Sequence, residues 1–186
     1  MEKTLAQYKQ VISRCEDLFL KKARDYGLSW SILRMPSVTD QILIKAERIR
    51  SIQEKNLNMV GESIDNEFVG IINYAIIALI LFDHYNSEQP IPDNAEELAS
   101  RYSEKVQFAL DTMRQKNHDY GEAWRKMRVS SMTDLILMKI NRLKQIEDNK
   151  GNTLVSEGAD ANYVDILNYA AFCLILMDES SSEPAD

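Results

Sequence analysis

The chain has 186 residues, of which 45% are hydrophobic and 27% charged, and its formal net charge is −7. That suits one ordinary soluble domain, or two small ones sharing a core. The acid excess removes any global basic footprint for nucleic acid or an anionic membrane. With only 6 Gly and 4 Pro, long regular elements are favoured over many tight turns. Cys15 and Cys173 lie in apolar helical patterns and neither has a second Cys or His at metal spacing. A disulfide framework is therefore not expected, and a reducing cytoplasm is the simplest setting.

The N-terminus lacks the apolar core of a signal sequence. From about Leu5 to Tyr26, Val11, Ile12, Cys15, Leu18 and Phe19 recur at helical spacing, and Gly27 reads as the C-cap. A short loop with Trp30 and Pro36 follows. A second helix is expected from near Ser37-Val38-Thr39-Asp40, where Ser, Thr or Asp can cap free amides, to about Glu54. A polar loop runs from Lys55 to Asp65, and a third helix from Asn66 to about Tyr85. Its most apolar run, Ile71 to Phe82, is shorter than the roughly 20 residues a membrane span needs and contains Asn73, so it reads as core. The linker Asn86 to Asp93 holds two prolines and reads as extended. Three more helices follow, at about Ala95–Tyr120, Thr133–Asp148 and Asp160–Asp178, before a polar tail.

The second triplet repeats the first. Asp25-Tyr26-Gly27 recurs 94 residues on as Asp119-Tyr120-Gly121. At the same offset Lys22 meets Lys116, Trp30 meets Trp124, Lys45 meets Lys139 and Arg48 meets Arg142. One added residue later, Glu62 meets Glu157, Asp65 meets Asp160 and Asn73-Tyr74-Ala75 meets Asn168-Tyr169-Ala170. The expected architecture is all-α: a bundle of two tandem three-helix repeats, residues 1–88 and 89–186, sharing one core about a pseudo-twofold axis.

The candidate chemistry gathers around Tyr163 to Met177, a helix apolar on nearly every side but broken by Asp165 and Asn168. A carboxylate on a core helix is costly unless paired, solvated in a cleft or bound to metal. Glu157, Asp160 and Asp165 converge near one helix start and form a candidate Mg²⁺ set, with Asp165 and Glu157 as the candidate catalytic pair. Glu157 and Asp160 read first as solvated acids at a helix N-terminus, which the helix dipole favours. Lys139 and Arg142 share a helix face and suit a phosphate, or else neutralise Asp165 in an ion pair. Lys116, Asp119, Tyr120 and Trp124 close the preceding helix and could line a pocket for a base, with Asn168 a further candidate substrate contact. They read equally as a packed helix-to-loop corner. His84 and His118 have no counterparts in the other copy, and no Gly-rich phosphate loop or zinc signature occurs. The copies differ at the acids, because Asp165 aligns with Gly70 and Asn162 with Glu67. The expected site therefore lies in the second copy.

The order Lys-x-x-Asp-Tyr-Gly-x-x-Trp, then Asp…Lys-x-x-Arg, Glu-x-x-Asp and Asp-x-x-Asn-Tyr-Ala resembles the nucleotide-modification-associated domain family. The fold is also similar to the all-α NTP pyrophosphatases of the MazG and dimeric dUTPase type, although Lys139 and Arg142 stand where those enzymes carry a Glu pair. The resemblance implies a nucleotide-binding protein, with Mg²⁺-dependent cleavage of a (d)NTP to monophosphate and pyrophosphate as the enzymatic form. The alternative is a non-catalytic helical module in which Asp165 braces the core. The expected partner is a small nucleotide. No membrane is expected, the acid balance argues against nucleic acid, and a homo-oligomer is compatible with the plan.

Overall fold

Two apolar helices set the architecture, and each is covered on several sides. In the computed structural model the described residues are 1–55, 61, 63–155 and 157–182, and their regular structure is entirely helical. The helices are α1 (Glu2–Tyr26), α2 (Met35–Lys55), α3 (Ile64–Ser87), α4 (Ala95–Tyr120), α5 (Val129–Asp148) and α6 (Ala159–Ser182). Short 3₁₀ turns occupy Ser29–Ile32 and Ala123–Lys126. α3 packs on α6, α2 packs on α3, α5 packs on α6, and α2 meets α5. α1 and α4 lie against α3, α6 and each other. One hydrophobic core runs through both halves.

This arrangement explains why α3 and α6 are apolar all round. By length and composition α3 could cross a membrane, yet 67% of its most apolar window is buried within the bundle, which makes it a core helix.

The second helix of each copy starts earlier than its capping residues suggest. α2 opens at Met35 with Pro36 in its first turn, where a missing N–H costs nothing, and α5 opens at Val129. Thr39 and Thr133 are buried inside these helices instead of capping them, and their hydroxyls bond back to the carbonyls of Met35 and Val129. Glu62 and the last four residues of the expected polar tail lie outside the described residues.

Side-chain bonds across the pseudo-twofold lock the two copies. Tyr102 on α4 donates to Asn73 Oδ1 on α3 at 2.9 Å, and Asn73 Nδ2 donates to the Cys15 carbonyl at 3.1 Å. The mirror image has Tyr8 donating to Asn168 Oδ1 at 2.7 Å and Asn168 donating to the Ala109 carbonyl at 3.1 Å. Each asparagine thus takes its hydroxyl donor from the other copy's first helix. Burying these groups unbonded would cost about 1–3 kcal/mol apiece. A second matched pair joins α2 and α5. Gln53 donates to Thr133 at 3.1 Å, and at the equivalent position Glu147 accepts from Thr39 at 2.5 Å and from the Tyr163 hydroxyl at 3.2 Å. Burial raises the Glu147 carboxyl above its ordinary value, although both hydroxyl bonds pull the other way.

Candidate ligand-binding site

The same sequence plan builds two different sites. In the second copy, α6 carries Asp165 into the bundle, where it is buried. Lys139 on α5 reaches its Oδ2 at 2.6 Å, with both side chains under a tenth exposed. Lys116 on α4 bonds its Oδ1 from a more open position, with 46% of its side chain exposed. Burial alone would lower the Lys116 ammonium, but its bond to Asp165, with the neighbouring Glu157 adding, leaves it raised. Both carboxylate oxygens are therefore held by ammonium groups.

The other expected members of the second-copy set do not join this centre as a metal or substrate group. Glu157 is exposed and Asp160 half-buried. Among the described residues no group of three His, Cys, Asp or Glu side chains could hold a metal ion. The acids expected to bind Mg²⁺ do not fit that ion, because the one buried carboxylate is already neutralised by two lysines. Arg142 is exposed and contributes to a cleft of about 860 Å³ with Glu157, Asn141, Gln145 and Asn162. Trp124 is buried, stacked on Phe172 at 4.2 Å and covered by the Arg125 guanidinium at 4.4 Å. Its faces are thus occupied, and it cannot stack on a base. Arg125 continues to Thr4, Gln7 and Glu179, tying α1 to the end of α6. Tyr120 is 74% exposed and Asp119 lies on the surface beside His118. Asn168 has its amide engaged in the crossing clasp described above.

In the first copy a cleft opens beside the equivalent position. Glu67, one helical turn before Gly70, takes Lys45 at 3.2 Å and bonds Arg48 closely. Gly70, at the Asp165 position, has no side chain, and the stem of Lys45 runs across it. A cleft of about 480 Å³ remains, within the range of small-molecule sites. Its walls include Lys22, Tyr26, Trp30, Lys45, Glu67 and Tyr74. Lys22 is exposed, and no hydrogen bond or ion pair engages it among the described residues. The Lys45 ammonium stands 6.0 Å from the Tyr74 ring centre, at the outer limit of a cation–π contact. Burial raises both the Tyr26 and the Tyr74 phenols, and Tyr74 and Asp25 add to the shift at Tyr26. Trp30 forms a buried wall supported by Phe19 at 6.4 Å.

The corner glycines also differ between the copies. Gly27 has φ 67° and ψ −154°, whereas Gly121 is in the left-handed helical region at φ 59° and ψ 39°. The first geometry accompanies a tyrosine that lines the cleft, the second a tyrosine that stands in solvent. Sequence reasoning placed the site in the second copy because Asp165 is the conspicuous residue. The signal for the first copy was Gly70: an isolated glycine inside an apolar helix marks space made beside the backbone.

A six-helix bundle in which two copies of one three-helix plan share a core is a tandem duplication folded as a pseudo-dimer. The family model described as nucleotide modification associated domain 1 matches residues 22–82 and again residues 116–177, and the chain belongs to that family. No curated protein and no solved structure matches the chain. The likeness to MazG-type pyrophosphatases gains no counterpart from these comparisons.

Proposed function

We propose that the protein binds a nucleotide in the first-copy cleft. The observation that carries this reading is a lysine, Lys22, that has no partner among the described residues and stands on the wall of an open cleft that also presents Tyr26, Tyr74 and a second lysine, Lys45. Lysine ammonium groups suit phosphate as point charges. Exposed tyrosine faces suit a base, and one such stack contributes about 1–3 kcal/mol. The family description supports the nucleotide class.

The reading stops at binding. A Mg²⁺-dependent pyrophosphohydrolase would need free carboxylates to hold the ion and orient water. Asp165 has both oxygens on lysines, and Glu67 is engaged by Lys45 and Arg48. A thermal-shift screen of nucleoside mono-, di- and triphosphates, with and without Mg²⁺, tests the proposal. At least one nucleotide should raise the melting temperature, and Lys22→Met or Tyr26→Ala should reduce that rise. The reading fails if no nucleotide shifts the wild-type protein, or if both variants respond as the wild type does.

A further inference from the structure

Asp165 and Gly70 occupy equivalent positions on α6 and α3, and each lies beside an equivalent pair of lysines. In the second copy the carboxylate of Asp165 bridges Lys116 and Lys139. In the first copy Lys22 and Lys45 line one cleft with Gly70, which has no side chain, and among the described residues Lys22 has no ion-pair partner. From this difference we infer that Asp165 is a built-in surrogate for the ligand's anionic group: in the first copy that group, a phosphate, sits over Gly70 between Lys22 and Lys45. The inference rests on the proposed nucleotide site and specifies which atoms take which part of the ligand.

The two halves of the cleft then divide the work. The lysines hold the phosphate, while Tyr26 and Tyr74 face the remainder of the ligand. Glu67 sits one turn from the seat and orients Lys45 and Arg48 before the ligand arrives. In the second copy this partner is absent, because Asn162 replaces Glu67 and turns its amide to the Gly158 carbonyl at 2.8 Å. The lysine pair there depends on Asp165 instead.

Gly70→Asp is the direct test. A Cβ at Gly70 would come within 2.7 Å of the Lys45 side chain, but the atoms it meets are the far end of a flexible chain that can swing aside. The new carboxylate would then face Lys22 and Lys45 as Asp165 faces Lys116 and Lys139. A tethered anion competes at millimolar effective concentration or above. Calorimetric titration of deoxynucleoside monophosphates should show binding to the wild type, a loss of at least about tenfold for the parent nucleosides, and the same loss in Gly70→Asp. Lys22→Met, a surface change that leaves packing alone, should give the same loss and decides the matter if Gly70→Asp does not fold. The converse test uses Asp165→Ala, which opens the second seat. Inorganic phosphate should raise its melting temperature more than that of the wild type, against chloride at equal ionic strength.

Nucleosides binding as tightly as their monophosphates, or both Gly70→Asp and Lys22→Met binding as the wild type does, would overturn the inference and leave nucleotide binding intact. A phosphate response in Asp165→Ala no larger than the wild-type response would overturn the equivalence of the two seats. A wild type that binds no nucleotide would remove the underlying reading as well.

Discussion

Replacing Asp165 with Asn tests how much of the bundle rests on one carboxylate. The change keeps the side chain's shape and removes its charge. Lys139 would be left with less than a tenth of its side chain in solvent and, among the described residues, with no other ion-pair partner. Breaking a buried pair by removing one partner costs about 3–5 kcal/mol, because the remaining charge stays desolvated. The Lys116 arm adds little, since its side chain is 46% exposed, and exposed pairs contribute roughly 0–1 kcal/mol. For a chain of this size about 1 kcal/mol corresponds to roughly 2–4 °C in melting temperature, so Asp165→Asn should lower it by at least about 6 °C. Lys116→Met should lower it by less than about 4 °C. Thermal unfolding followed by far-UV circular dichroism gives these values. Adding Lys139→Met to Asp165→Asn should recover part of the loss, because it removes the orphaned charge. A drop below about 3 °C for Asp165→Asn, or strictly additive effects in the double variant, would refute the brace.

Two other predictions follow from asymmetries between the copies. Glu147 holds its proton to higher pH in the folded chain than in the unfolded one, because burial raises its carboxyl. Its stabilising contribution is therefore present below the ordinary glutamate value and is lost as pH rises through the raised one. Glu147→Gln copies the natural Gln53 at the matching position, so its melting temperature relative to wild type should climb between acid and neutral pH; a constant difference would contradict the assignment. Gly27 sits at φ 67° and ψ −154°, a region essentially closed to side-chain-bearing residues, whereas Gly121 is in the left-handed helical region. Gly27→Ala should cost about 1–3 kcal/mol and disturb the Tyr26 wall, and Gly121→Ala should cost less; equal losses in chemical denaturation would refute the distinction.

Most of the fold was legible because its cause is periodic. Apolar spacing located six helices, and the offset between Asp25-Tyr26-Gly27 and Asp119-Tyr120-Gly121 disclosed the duplication. The helix starts were less legible. Ser37 and Thr133 look like caps in one dimension, but Thr133 and its counterpart Thr39 point into the core. Asp165 stands out in the sequence as an acid on an apolar helix, and its ion pair with Lys139 is one of the readings the helix face allows. The location of the open site was not legible. Asparagines and tryptophans look the same in sequence whether they line a pocket or join a lock. Only packing reveals that Asn168 is engaged by Tyr8 and Ala109, that Trp124 lies between Phe172 and Arg125, and that Gly70, at the Asp165 position, lets the Lys45 side chain pass beside an open cleft.

The central claim concerns which copy takes the ligand, and amide chemical-shift mapping reads this directly. Titrating isotope-labelled protein with a deoxynucleoside monophosphate should move the amides of residues 18–30 and 66–77, which surround the first-copy cleft. Those around Lys116, Lys139 and Asp165 should stay in place. Shifts concentrated around Asp165 and Arg142, with the first-copy residues unmoved, would contradict the account.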